Sequence, residues 1–417
     1  MKSKPGVIVC ILGEINKLPV PFIVLLALVG FLAGISATLF LVLLNWVTEI
    51  REQHSYIIWG LPFAGVLISL FFSKMGKQSA MGSHLVIDEI LDPKETIPLR
   101  MAPLILFGTL LTHFFGGSAG REGTAVQMGA SLSDSVARFF KVSVKQRQTL
   151  LMAGAGAGFG AAVGAPLAGS IFGMEMLRVG RPDLTSWWEC LFTSFTAWGV
   201  TYLLHAPHTH FLSPEPIPFN ILTILAVLGA AICFGLLARW FVGLTHFLEH
   251  FLNKTFSSSE LKIAIGGILL VLLYALEGSY RFTGLGIPVI EEALKNPANA
   301  IDIVYKWGFT SLTLASGYKG GEFVPLVFMG SVLGSALSEI LPAPTTLLGA
   351  LGFASVFGAA SNTPLACSLM ALELFGVSIT PYAFLSCFVS FLVSGPKGIY
   401  KTQSLSHSKW SYFKKRP

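Results

Sequence analysis

Residues 116–129 read GGSAGREGTAVQMG, an arginine and a glutamate side by side among glycines, between two apolar stretches. The surroundings decide what this means. The chain of 417 residues is 53% hydrophobic and 12% charged, with a mean hydropathy of +0.69, whereas soluble domains carry about 25% charged residues. Apolar runs such as 21–46, 218–243 and 261–276 are long enough to cross a hydrocarbon core. The composition therefore predicts an all-α polytopic membrane protein, since backbone polar groups in lipid must pair within helices. The first run lacks a small-residue cleavage site and reads as a span, not a signal peptide.

Inside such a protein a charge is costly unless paired or wetted. The glycines of 116–123 end one apolar segment, and TAVQMGASLSDSVARFF (124–140) reads as the next helix. A helix that starts in mid-membrane presents unpaired N–H groups and a partial positive charge, which suits an anion. Glu122, at that start, is then a tethered anion. When it is protonated, a free anion can take its place, and coupling of proton and anion follows from this exclusion. For Arg121 a structural ion pair or a field-shaping role outweighs direct anion contact.

The same arrangement recurs. FGAAVGAPLAGSIFGMEML (159–177) and FGAASNTPLACSLMALELF (357–375) agree at 9 of 19 positions, at an offset of 198. VIDEIL (86–91) matches VIEEAL (289–294) at an offset of 203, and GREGTAVQMG (120–129) lies against GEFVPLVFMG (321–330) at 201. Three matches in one order predict two structural repeats, 21–205 and 218–400, flanked by a cytoplasmic N-terminal segment (1–20) and a cytoplasmic basic tail (401–417), with no soluble regulatory domain. Repeats of this kind typify transporters, which bind substrate near mid-membrane between the halves, often at broken helices. AMGSHLVIDEIL (80–91) opens another short helix, with Asp88 and Glu89 expected to face water. Glu175 and Glu373 occupy one place in both repeats and are expected to hold helix ends or loops.

The net charge of +6 is gathered at Lys2, Lys4 and Lys17, in RFFKVSVKQRQ (138–148) and in KWSYFKKRP (409–417). Basic clusters beside spans favour the cytoplasmic face, so both termini are placed there, and this reading displaces nucleic-acid binding. The five cysteines lie apart with no metal-ligand or disulfide spacing, and no cofactor or metal is expected.

At GSHLV (82–86), GREGT (120–124), GGEFVP (320–325) and GIY (398–400), in order over essentially the whole transmembrane chain, the sequence resembles the CLC family of chloride channels and halide/proton antiporters. The resemblance implies two inverted repeats meeting at a mid-membrane anion site, and a homodimer with one anion pathway per subunit in the cell (inner) membrane. It implies Glu122 as the gating, proton-carrying glutamate. Ser83, Gly123, Phe323 and Tyr400 would bind the anion, Gly123 and Phe323 through backbone N–H groups.

Three departures from the chloride pattern stand out. Thr124 and Val86 replace expected prolines, Met176 occupies the place of the inner proton-relay glutamate, and Glu322 precedes Phe323 where an apolar residue is usual. The bacterial fluoride/proton antiporter branch of the family also lacks the inner glutamate. GGE (320–322), NTPLAC (362–367) and SGPKGIY (394–400) resemble that branch, whereas Ser83 and Phe323 resemble chloride-type members. Fluoride/proton exchange is therefore expected, with a chloride channel or chloride/proton antiporter as the alternative. Glu322 reads either as a second proton- or cation-handling carboxylate or as a structural acceptor for backbone or Lys319. Tyr400 in GIY reads as an anion-site residue rather than an interfacial anchor. His84 would titrate near neutral pH if solvated, but reads chiefly as a helix-start residue.

A rival from another class is an intramembrane serine protease built on GGSAG. It requires a histidine base within reach of Ser118. His113 alone lies nearby in sequence, and a protease gives no reason for the repeat.

Overall fold

The computed structural model describes residues 21–216, 220–403 and 409; the segment 1–20 and most of the tail 401–417 fall outside them. Sixteen α-helices are present among the described residues, eight in each half and in the same order. The first half comprises α1 (Phe22–Gln53), α2 (Leu61–Phe71), α3 (Ser83–Leu91), α4 (Met101–Phe114), α5 (Glu122–Phe139), α6 (Val144–Val163), α7 (Pro166–Glu175) and α8 (Trp187–Leu203). The second comprises α9 (Ile221–Thr255), α10 (Ser259–Glu277), α11 (Ile287–Ala293), α12 (Ile301–Ser316), α13 (Phe323–Leu337), α14 (Thr345–Ser361), α15 (Pro364–Phe375) and α16 (Thr380–Val393).

Among the described residues, four helices are long and apolar enough to cross a membrane: Phe22–Gln53, Ser55–Gly76, Ile221–Thr255 and Ser259–Glu277. They open each half, and interrupted helices follow. The interruptions are written the same way twice. α6 ends at Gly164 (φ +83°) and α14 at Asn362 (φ +61°), left-handed C-terminal residues open to glycine and asparagine. Each is followed two residues later by a proline in the first turn of the next helix, Pro166 or Pro364, where the missing N–H is harmless.

The centre is built from small residues. Residues 149–163 of α6 and 347–361 of α14 are all buried, so neither helix has a lipid-facing stripe. α5 packs on α6 and α13 on α14 closely enough that a Cβ on Gly129 would strike the Gly154 carbonyl, and one on Gly330 the Gly352 carbonyl.

Contacts between equivalent residues reveal the symmetry. Gly120 and Gly321 form an antiparallel bridge, with N–H to O distances of 2.6 and 2.8 Å. Phe159 and Phe357 stack with ring planes 11° apart. Glu175 accepts the N–H groups of Leu365 and Ala366 (3.0 and 2.8 Å), while Glu373 accepts those of Leu167 and Ala168 (2.7 and 2.8 Å). Reciprocal contacts of this kind are the signature of a two-fold axis, here within one chain. They confirm that the two glutamates hold helix ends, each capping the start of a helix in the opposite half.

Glu89 does not face water as its sequence suggests. It is buried and takes the backbone N–H groups of Lys94 and Glu95 (3.2 and 2.8 Å) and Arg147 Nη1 (2.9 Å). Arg147 also binds Asp134 Oδ1 (2.5 Å), and Arg138 binds Asp134 Oδ2 (3.0 Å). A buried carboxylate is tolerable only when paired and hydrogen-bonded, and this network ties α3, α5 and α6 together at one end.

Candidate functional site

The chain breaks before α5 and α13 meet at the Gly120–Gly321 bridge, and the two helices diverge from it. Arg121 and Glu322, at equivalent places, occupy the N-cap positions. Beside the bridge is a cavity of about 30 Å³, room for one or two particles the size of water. Ser83, Glu122, Gly123, Glu322, Phe323 and Tyr400 all line it. Residues separated by more than three hundred positions thus converge because both helix starts, the start of α3 and the segment after α16 point at one spot.

Glu122 is 1% exposed. Its Oε2 accepts the backbone N–H of Arg121 at 3.1 Å and its Oε1 faces Arg121 Nε at 3.3 Å, so the carboxylate curls back over its own helix start. Arg121 therefore makes the ion pair expected of it. It also lines an outer chamber of about 450 Å³ that Arg51 and Arg281 share. Arg281 is balanced by Asp302 at 2.9 Å. Arg51 is buried and donates to the His113 carbonyl at 2.9 Å.

Glu322 lines the cavity, but Lys319 is not its partner: the amine lies 4.3 Å from the centre of the Phe72 ring, and no ion pair joins the two among the described residues. Tyr400 sits between the cavity and a second chamber of about 210 Å³. Met176 is fully buried outside the cavity, its carbonyl accepting Gln403 Nε2 at 3.0 Å. His84 Nδ1 meets Thr402 Oγ1 at 3.4 Å.

Sequence reasoning missed Gln127, Phe159 and Phe357. Gln127 donates through Nε2 to Ser83 Oγ at 3.2 Å, while its buried Oε1 has no partner. It lies one turn after Gly123 and so shares its face, the signal that pointed to it. Phe159 and Phe357 wall the cavity behind Phe323, the latter pair edge to face at 4.7 Å.

The protease constellation does not assemble. Ser118 Oγ is engaged with Thr310 Oγ1 at 2.9 Å, and His113 Nε2 faces the Gly120 carbonyl at 3.4 Å.

Comparison with known proteins agrees with this geometry. The family model "voltage gated chloride channel" matches residues 64–395. The "chloride/fluoride channel protein" of Pseudomonas syringae pv. tomato is 41% identical over 394 residues, covering 93% of this chain and 87% of the relative. The "H(+)/Cl(-) exchange transporter ClcA" of Salmonella paratyphi B is 28% identical over 405 residues, covering 86% and 82%. A solved CLC-type fluoride/proton antiporter superposes with a TM-score of 0.89 at 34% identity, covering 92% of this chain and 97% of that one. A slow cyanobacterial Cl⁻/H⁺ antiporter shares the fold, with a TM-score of 0.80 at 18% identity and the same coverage. The two halves thus have the inverted arrangement of that fold, and the chain, a membrane protein with anions and protons as its family's substrates, belongs to the voltage gated chloride channel family.

Proposed function

We infer that the protein exchanges fluoride for protons across the cell (inner) membrane, with Glu122 as both gate and proton carrier. The observation that carries this reading is the cavity at the two helix starts. It is of water size, it lies at two helix starts, it is lined by Ser83, Gly123, Phe323 and Tyr400, and a buried carboxylate is folded over one of those starts. An anion held by helix N-termini and a carboxylate held by the same N-terminus compete for one positive potential. Protonation of Glu122 removes its claim, so the anion enters as the proton is carried. A small chamber suits fluoride, an ion close to water in size. The relatives named for fluoride, at 41% and 34% identity, support the same ion. Arg121 and Arg51 in the outer chamber raise the local anion concentration by their field.

The assignment of roles extends to Glu322, a second carboxylate in the cavity and a proton acceptor beside Glu122. The protein works as a homodimer in the bilayer, each subunit with its own site, and the basic clusters favour the cytoplasmic side for both termini. The repeats are bounded at 21–205 and 218–400. Chloride transport is the second reading, supported by Ser83 and Phe323, which line the cavity as chloride-type residues.

Liposomes loaded in turn with fluoride and chloride decide between the ions. Efflux of fluoride much faster than chloride is the expected result. Equal rates would make Ser83 and Phe323 the better guides and overturn the choice of fluoride.

A further inference from the structure

If protons cross with the anion, they need a way in from the cytoplasmic side, and the Met176 position provides none. Its side chain is buried, and Gln403 seals the ground around it by binding the carbonyls of Met176 and Ser361 (3.0 and 2.8 Å) and accepting Asn362 Nδ2 (2.9 Å). The groups that exchange protons readily gather elsewhere. The chamber of about 210 Å³ behind Tyr400 is walled by His246, Lys397, Lys401 and Gln403, and it has room for several waters. Lys401 forms an ion pair with Glu249, whose side chain is 37% exposed. Glu249 and His246 stand three residues apart on α9 and share a face. His84 Nδ1 meets Thr402 Oγ1, the residue after Lys401, at 3.4 Å, and Glu322 lines the anion cavity that Tyr400 shares with the chamber. A carboxylate paired with the chamber's Lys401 and a carboxylate in the cavity thus lie to the two sides of Tyr400.

We propose that Glu249, with His246 and His84 beside it, is the port through which protons pass between the cytoplasm and Glu322. The inference rests on the fluoride/proton reading given above. The Glu249 carboxylate takes a proton from cytoplasmic water and becomes neutral, which opens its pair with Lys401. The proton then moves through chamber water, by way of the imidazoles, to the Glu322 carboxylate and on to Glu122. Glu249, ionised again, closes on Lys401. Histidine suits the intermediate positions because one ring nitrogen of an imidazole accepts a proton while the other donates one. The groups whose charges reach this port are Lys401 and Lys397 from the segment after α16, His84 and Asp88 from α3, His246 from α9 and Lys262 from α10.

The competing role for Glu249 is mere neutralisation of Lys401 beside an anion path. Full-length wild type, Glu249→Gln, Glu249→Asp and the double variant Glu249→Gln/Lys401→Met distinguish the two. Each is reconstituted in liposomes and read with fluoride and pH electrodes together, so that the proton-to-fluoride ratio is independent of the fraction of active protein. The port predicts a ratio lowered at least about tenfold in Glu249→Gln, within what a positioned proton-transfer group contributes. It predicts the same loss in the double variant and recovery in Glu249→Asp. A wild-type ratio in Glu249→Gln, or its return in the double variant, overturns the port while leaving fluoride/proton exchange standing. Wild-type protein that moves fluoride with no protons overturns the exchange reading and the port with it.

Discussion

At an offset of 201 residues, Arg121 and Glu122 of the first half stand where the second half has Glu322 and Phe323; at an offset of 198, Glu175 and Glu373 are the same residue making the same contact. The difference separates framework from chemistry. Residues that touch across the two-fold axis must serve both halves at once, so Gly120 and Gly321, Phe159 and Phe357, and the two capping glutamates are alike. In the proposed mechanism the site alternates between a tethered carboxylate and a free anion and needs one tether, and the place equivalent to Glu122 is filled by an aromatic ring. Arginine on one helix start and glutamate on the other give the axis a charge asymmetry that the backbone does not have.

The comparison is broken most severely at Glu122. Glu122→Gln keeps the shape of the side chain and removes its charge, and proton coupling should vanish while fluoride still passes. Persistent proton movement in paired electrode recordings would show that another group is the carrier. The symmetric glutamates come next. Glu175→Gln weakens the hold on two N–H groups at the start of α15, an effect of about 2 kcal/mol, seen as a lower midpoint of thermal unfolding in detergent. Glu373→Gln should cost less, since Glu373 is only half-buried. Equal losses would mean that burial does not set the strength of these caps. Neither change should alter ion preference.

Gly330→Ala and Gly129→Ala push a methyl group into the facing carbonyls of Gly352 and Gly154, and each should lower stability by about 1 to 3 kcal/mol. Similar shifts in unfolding midpoint are expected from the pair, and tolerance at one alone would show that the halves pack differently. The smallest effect belongs to Arg121. Arg121→Met should slow fluoride transport by up to about tenfold at low salt and much less at high salt. A loss independent of salt would make Arg121 a clamp on Glu122 rather than a source of field.

The framework was legible because repetition is a sequence property. Matching stretches at nearly constant offset announced the two halves, and the paired position of Glu175 and Glu373 announced helix-end contacts. The broken helices were legible from glycine and proline punctuation around 116–123 and 317–325. What escaped depended on partners far away in the chain. Glu89 looks like a wetted helix end until Arg147, 58 residues later, is seen to reach it. Gln127 is an unremarkable polar residue within a helix until Ser83 is brought against it from 44 positions away. Phe159 and Phe357 stood in the repeat alignment itself, but aromatic residues in apolar segments carry no mark of which face they wall. The outer chamber is assembled from α1, the start of α5, the link after α8 and the start of α11, and no single stretch contains its signal. Lys319, adjacent to GGE, invited pairing with Glu322; cation–π contact with Phe72 is the alternative that local sequence does not show.

The central claim is that a fluoride gradient and a proton gradient are exchanged through one site, and uphill proton movement tests it most directly. Liposomes carrying the wild-type protein are loaded with fluoride, diluted into fluoride-free medium at equal pH, and clamped at zero membrane potential. The account predicts that fluoride efflux drives protons inward against the pH difference it creates, until an uncoupler releases them. Fluoride efflux at zero potential with no inward proton movement would contradict it and make the protein a channel.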